Sequence, residues 1–128
     1  MLEGGPLRQA DGKLRLDDIR RHIDARIRTV PRLTRCVVEV PLGVGRPLWV
    51  DDADFDIRRH VLVTAVDPPG DQQALLDRCA ELHSEPLDRT HPLWQLWLVD
   101  GLADGRVGIV EKIHHALVDG VGGVDVAA

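Results

Sequence analysis

The sequence predicts an α/β protein, more closely an α+β arrangement in which a mixed sheet packs against helices. Three observations predict it. Residues 16–27 and 71–84 carry apolar side chains at helical spacing. Residues 93–99 are almost wholly apolar, as a strand buried on both faces would be. Residues 100–105 contain two Asp-Gly steps and lead into a second β-prone run, 106–113, so the two runs are expected to pair as an antiparallel hairpin.

The elements follow in order. Residues 1–12 are rich in Gly and Pro and read as a terminal strand or loop. Leu16, Ile19, Ile23 and Ile27 then form one face of a helix, with Asp17, Asp18, Arg20, Arg21, Asp24 and Arg28 on the other. Acidic residues at its start and Arg26 and Arg28 at its end suit the helix dipole, and Pro31 stops it. Residues 36–40 make a short β-prone run ended by Pro41. Residues 42–47, with Gly43 and Gly45, form a turn and lack the Lys-Ser/Thr ending and following helix of a phosphate loop. Asp51, Asp52, Asp54 and Asp56 lack the central glycine and terminal glutamate of a calcium loop. Residues 57–66 read as a longer strand. Asp67-Pro68-Pro69-Gly70 is a break. Asp71 is a candidate N-cap for a helix to Ser84, with Leu75, Cys79 and Leu82 on its inner face and Leu76 and Ala80 beside them. His83 is expected to cap or pack at its end, and Pro86 terminates it.

Composition bounds the function. A chain of 128 residues builds one domain with a real core. Its 44% hydrophobic and 29% charged content is that of an ordinary folded protein. A net charge of −5, without a basic block, argues against nucleic acid as a partner. Cys36 and Cys79 have no CxxC spacing and read as buried free thiols in a reducing cytoplasm. No run of 18 apolar residues is present to span a membrane, and Met1 is followed by no apolar leader segment.

The strand 106–113 runs directly into His114-His115-Ala116-Leu117-Val118-Asp119-Gly120, then Gly122 and Gly123. This is HHxxxDG at an expected strand-to-helix junction. Imidazole exchanges a proton near neutral pH. Successive strand residues point to opposite faces, so one histidine can act as base while the other packs or fixes the turn. Asp119 is placed to pin the loop through an ion pair, and the glycines relieve steric limits where the chain turns sharply. A paired histidine can also be a packed core or surface pair. The whole seven-residue pattern behind a β-run favours catalysis. Metal ligation by His114, His115 and Asp119 is disfavoured, because adjacent histidines chelate poorly and no further Cys/His cluster supports them. The hairpin is expected to deliver both histidines to the end of a central strand.

The motif resembles that of CoA-dependent acyltransferases and peptide-synthesis condensation domains. Pro47-Leu48-Trp49-Val50-Asp51-Asp52, Phe55-Asp56 with His60, Pro69-Gly70, Pro86-Leu87-Asp88-Arg89, Pro92-Leu93-Trp94 and His114 to Gly120 occur in this order. Together they resemble the N-terminal domain of the bacterial wax ester synthase/diacylglycerol acyltransferase family. The resemblance implies a partial chloramphenicol-acetyltransferase-like domain over residues 1–128, with the family's C-terminal domain absent. It implies a fatty acyl transfer from acyl-CoA to diacylglycerol or a long-chain alcohol, without a cofactor, acyl-CoA being substrate. His115 would be the general base, with His114, Asp119 and Gly120 completing the motif. Pro92, Leu93 and Trp94 would lie near the acyl tunnel, buried strand packing being the other reading of them. Peripheral association with a membrane or lipid droplet is the implied location within the cytoplasm. An amide-forming condensation-type domain and an inactive remnant that binds lipid or a partner stay open as alternatives.

Overall fold

The computed structural model describes residues 4–38 and 48–114. Its elements in order are α1 (Leu16–Ile27), β1 (Arg35–Val38), β2 (Leu48–Asp51), β3 (Val61–Ala65), α2 (Gln72–Ser84), β4 (Trp94–Asp100) and β5 (Gly108–Ile113). Short 3-10 turns lie at Gly5–Leu7, Pro31–Thr34 and Ile57–Arg59. β3, β4 and β5 form a mixed sheet in that order, β4 parallel to β3 and antiparallel to β5. β1 and β2 form a separate antiparallel pair, tied across by Arg35 Nε to Asp51 Oδ1 at 3.2 Å.

β4 is apolar throughout because both of its faces are covered. Val99 and Trp97 pack under α2 with Leu82, Leu75, Cys79 and Val110. The alternate residues Leu96 and Leu98 pack against Leu14, Leu16 and Ile19 on the other face. α1 is joined to β3 as well, Arg20 Nε donating to the Val61 carbonyl at 2.9 Å. The N-terminal segment is anchored rather than loose: Arg8 bridges to Leu14, and its guanidinium holds Asp100 at 2.6 Å. That hydrogen bond, part-buried, lowers the Asp100 pKa against the opposing effect of desolvation.

α2 begins where Asp71 Oδ1 accepts from the Ala74 amide at 2.9 Å, the expected cap. Leu76 lies on the solvent side, 53% exposed, so the apolar face is narrower than its composition implied. Cys36 and Cys79 are free, but half-buried rather than buried.

The long strand expected over 57–66 begins only at Val61. Asp56 Oδ1 accepts from the Arg58 amide at 2.9 Å and turns the backbone into the 3-10 segment that precedes it. Likewise β5 starts at Gly108, because Asp104 Oδ1 takes the Arg106 amide at 3.0 Å and extends the turn. Among the described residues β4 lies between β3 and β5, and β5 carries the chain to His114. The end of the 36–40 run and the turn at 42–47 lie outside the described residues.

Gly70 follows the Pro68-Pro69 break with φ +65°, and a Cβ there would lie 2.0 Å from the Gly101 carbonyl oxygen. Gly70→Ala is therefore expected to destabilise the fold by more than the roughly 1–2 kcal/mol of a left-handed L-residue, measurable as a lowered urea midpoint; an unchanged midpoint would show that this close approach is not required.

Candidate functional site

β3 and β4 begin at the end of the sheet where β5 finishes, and three chemistry-bearing segments meet there. Trp94, the first residue of β4, pairs in register with Ile113, the last of β5. One residue further on, the His114 amide donates to the Leu93 carbonyl at 3.0 Å. The Pro92-Leu93-Trp94 run and the histidine motif are thus joined by a backbone hydrogen bond. Pro92 is fully buried, and Leu93 and Trp94 are 2% and 7% exposed. The Trp94 indole donates to the Leu33 carbonyl at 2.8 Å and packs with Ile27, Leu33, Trp49 and Phe55.

Arg89 approaches the motif from the loop after α2, its Nη2 lying 3.4 Å from His114 Nε2. A guanidinium can only donate, so Nε2 is the acceptor in this contact. His114 is half-buried. His115, Asp119 and Gly120 lie outside the described residues, as do Gly122 and Gly123.

Two cavities open at this end of the sheet, with Leu87 in the wall of both. One, of about 320 Å³, is lined by His83, Glu85, Lys112 and His114. His83 is exposed in the last turn of α2. Lys112 is only 6% exposed, and its ammonium donates to the Glu85 carbonyl at the end of α2, at 2.7 Å. A cation there satisfies a helix C-terminal carbonyl and complements the dipole. Strand alternation places Val110, Lys112 and His114 on one face, so Lys112 fastens α2 to β5 two residues ahead of the motif. Reading Lys112 as an inward residue was possible from that alternation, but not what its amine would meet.

The other cavity, of about 250 Å³, is lined by Arg59, His60, Asp88, His91, Trp94 and Gln95 among others. His60 is 3% exposed and is stacked between Phe55 and Trp94, with ring centroids 5.1 and 4.8 Å away. Its Nδ1–H donates to the Trp94 carbonyl at 2.8 Å. Burial holds the His60 imidazole below its ordinary 6.5, outweighing that hydrogen bond. His91 Nδ1–H donates to Asp52 at 3.1 Å. Burial works to raise the Asp52 pKa, but hydrogen bonds from His91 and the Asp54 amide prevail and keep it lowered. In the sequence His60 stands out only as part of a pattern and His91 not at all, because nothing local in the chain marks His60 as buried or His91 as the partner of Asp52. Among the described residues no group of three His, Cys, Asp or Glu side chains could hold a metal ion.

A mixed sheet whose motif-bearing strand ends against a buried Pro-Leu-Trp run is the framework of a CoA-dependent acyltransferase-like fold. The comparisons give the family. The wax ester synthase/diacylglycerol acyltransferase catalytic domain matches residues 4–128. The probable diacylglycerol O-acyltransferase tgs3 of Mycobacterium tuberculosis H37Rv is 39% identical over 115 residues, 90% of this chain and 42% of that protein. The probable diacylglycerol O-acyltransferase tgs1 of the same strain is 44% identical over 81 residues, 63% of this chain and 18% of that protein. The solved wax ester synthase/diacylglycerol acyltransferase from Marinobacter aquaeolei VT8 superposes with a TM-score of 0.63 at 31% identity, over 83% of this chain and 26% of that one. The chain belongs to the wax ester synthase/diacylglycerol acyltransferase family. It spans about two fifths of the length of tgs3.

Two outcomes are expected. Lys112→Ala leaves the Glu85 carbonyl without its donor and should cost about 1–3 kcal/mol, read by chemical denaturation; a wild-type midpoint would show the clamp to be dispensable. The unfolded chain protonates the His60 imidazole near 6.5, whereas the folded chain resists until lower pH. Stability from this group is therefore present above 6.5 and lost as pH falls through the folded pKa. The thermal midpoint should drop on the acid side of 6.5, and His60→Phe should flatten that drop. The lowered Asp52, Asp88 and Asp100 act in a separate window, below their ordinary 3.8.

Proposed function

We propose that the protein takes part in transferring a fatty acyl group from acyl-CoA to diacylglycerol or a long-chain alcohol. The observation that carries this reading is the hydrogen bond from the His114 amide to the Leu93 carbonyl, which holds the start of HHxxxDG against the Pro-Leu-Trp run at one end of the sheet. Membership of the family supports the chemistry.

On this reading His115 is the general base. It takes the proton from the acceptor hydroxyl as the oxygen attacks the thioester carbonyl carbon. The tetrahedral oxyanion then collapses, the C–S bond breaks, and the departing CoA thiolate takes the proton back from the imidazolium. The protein's side chains form no covalent intermediate in this sequence of steps. The chain's only serine, Ser84, agrees with that: it donates to the Glu81 carbonyl at the end of α2, away from any nucleophile elbow. His114 is the structural member of the pair, with Arg89 against its ring. Asp119 pins the loop and Gly120 gives it its turn. Pro92, Leu93 and Trp94 form the wall nearest the acyl chain while also packing the core. Acyl-CoA enters as substrate, and no cofactor is needed for these steps.

Residues 1–128 are read as an incomplete N-terminal acyltransferase domain that works with a C-terminal domain, a reading supported by the partial coverage of the relatives. Among the described residues no helix is long and apolar enough to cross a membrane. Peripheral contact with a membrane or droplet surface is part of the same proposal, as the family's lipid substrates imply.

A positioned base contributes roughly 10²–10⁴-fold in rate. His115→Ala should lower acyl transfer by that factor, assayed with acyl-CoA and diacylglycerol, while the melting temperature stays within a degree or two of wild type. Transfer that survives the substitution at full rate would remove His115 from the mechanism. Asp119→Ala should lower rate and melting temperature together, and a normal melting temperature would count against its pinning role.

A further inference from the structure

The His91 side chain lies between two carboxylates, and the acyl-transfer steps give it no part. On one side its Nδ1–H donates to Asp52 Oδ2 at 3.1 Å. On the other its Nε2 stands 3.9 Å from Asp88 Oδ2. The first contact is a hydrogen bond, whereas the second is longer than the roughly 2.7–3.2 Å that such a bond spans. With its proton on Nδ1, the neutral ring turns a lone pair toward a carboxylate that can only accept. The second contact becomes attractive when the ring takes up a further proton, and imidazole is the side chain that does so near neutral pH.

The two carboxylates are fastened to different parts of the fold. Asp52, 9% exposed at its side chain, is fixed in place. Its amide donates to the Thr34 carbonyl at 3.0 Å, and its Oδ1 accepts from the Asp54 amide at 3.0 Å. Asp88, 64% exposed, belongs to the connection 86–92 between α2 and β4. There its Oδ1 takes the Thr90 amide and hydroxyl, and its carbonyl takes the His91 amide, closing one turn. Arg89 sits in that turn, with Nη2 3.4 Å from His114 Nε2. Leu87 lines the cavities on both sides, so the connection runs between the His60 cavity and the His114 cavity.

The remaining charges around the ring do not cancel this arrangement. Hydrogen bonds from Thr90 hold Asp88 below its ordinary 3.8, with His91 adding to them, so the carboxylate is ionised throughout the range in which imidazole exchanges its proton. Burial works to raise Asp52, but the His91 and Asp54 hydrogen bonds keep it lowered and ionised as well. The Arg59 guanidinium is a standing positive charge toward both carboxylates and is engaged by the Asp54 carbonyl at 2.9 Å. His60, in the same cavity, resists protonation mainly through burial.

We propose that His91 is a proton-operated latch on the connection 86–92. A proton from solvent gives Nε2 a hydrogen to offer Asp88 while Nδ1–H stays on Asp52. The turn is then stapled to the fixed Asp52, and Arg89 is held against His114. Loss of that proton keeps the Asp52 bond, gives up Asp88, and releases the turn that carries Arg89. The latch follows from how the connection is packed and does not draw on the acyl-transfer reading.

The test is a pH titration of the ¹⁵N-labelled 128-residue chain, following the His91 and His114 ring nitrogens and the Arg89 Nε–H by NMR. The His91 Nδ1 should stay protonated while Nε2 gains its proton, and the Arg89 signal should move with the His91 midpoint. An Arg89 signal that is unmoved, or that follows the His114 midpoint alone, would overturn the latch. Asp88→Asn keeps an oxygen for Thr90 and removes the charge. It should lower the His91 midpoint by roughly 0.2–0.7 pH unit, the range expected of an exposed ion pair; an unchanged midpoint would remove Asp88 from the latch. In His91→Gln the part of the Arg89 response at the His91 midpoint should vanish, and its persistence would overturn the assignment to His91. The Trp94 indole N–H signal, retained in both variants, reports an intact fold, and His115→Ala should leave the His91 titration unchanged.

Discussion

Trp94 is the residue on which the arrangement depends, because one peptide and one indole join four parts of the chain. Its carbonyl receives the His60 ring, its indole N–H reaches the Leu33 carbonyl, and its backbone pairs with Ile113. Its ring fills the space between Ile27 at the end of α1 and the Phe55–Ile57 segment before β3. Burial of an aromatic of this size dominates local energetics, and a buried indole N–H needs a partner to be tolerated. Both conditions are met at once. The start of β4 is therefore fixed in three directions, and whatever follows the end of β5 is aimed from a rigid base.

Polar groups around that base are matched in a way that keeps them from weakening it. Lys112 is buried, yet its ammonium meets the Glu85 carbonyl just past the end of α2, where positive charge is favoured. His91 and Asp52 satisfy each other beside the His60 cavity. Further out, the hydrogen bond from Arg58 holds the Asp56 carboxyl at about 2, together with the Arg58 amide it caps. That pair lies in solvent and shapes the turn before β3 rather than adding much to stability. Two atoms are exceptions among the described residues, Arg32 Nη1 and His60 Nε2, both buried without a hydrogen-bond partner. Unpaired buried polar atoms are uncommon enough in folded proteins to mark a place where something else is accommodated.

Much of the fold was legible along the chain. The inward faces of α1 and α2 and the two-sided burial of β4 follow from local periodicity, and Asp71 announced its own helix. The misreadings share a cause. The expected strand over 57–66 is half turn because a side chain, Asp56, competes for the backbone amide of Arg58. The strand β2 was not anticipated, since four residues of mixed polarity become a strand only through the partner they pair with. The order of β3, β4 and β5 was invisible, because alternation tells which face a residue takes and nothing about which strands flank it. At the site, HHxxxDG could be read as a string. The approach of Arg89 to His114 could not, since 25 residues separate them and neither neighbourhood encodes the other.

By itself the sequence determined the helices, the hairpin of β4 and β5, and the order of motifs that places the chain in its family, because each depends on neighbours a few residues apart. Only the tertiary structure decided that Lys112 is buried, that His60 donates to Trp94 and keeps a free acceptor, and that the Pro-Leu-Trp run touches the histidine motif. Those facts depend on which distant groups share a small volume from which water is excluded. Burial and long-range hydrogen bonding are properties of that shared volume, and no stretch of chain carries them alone.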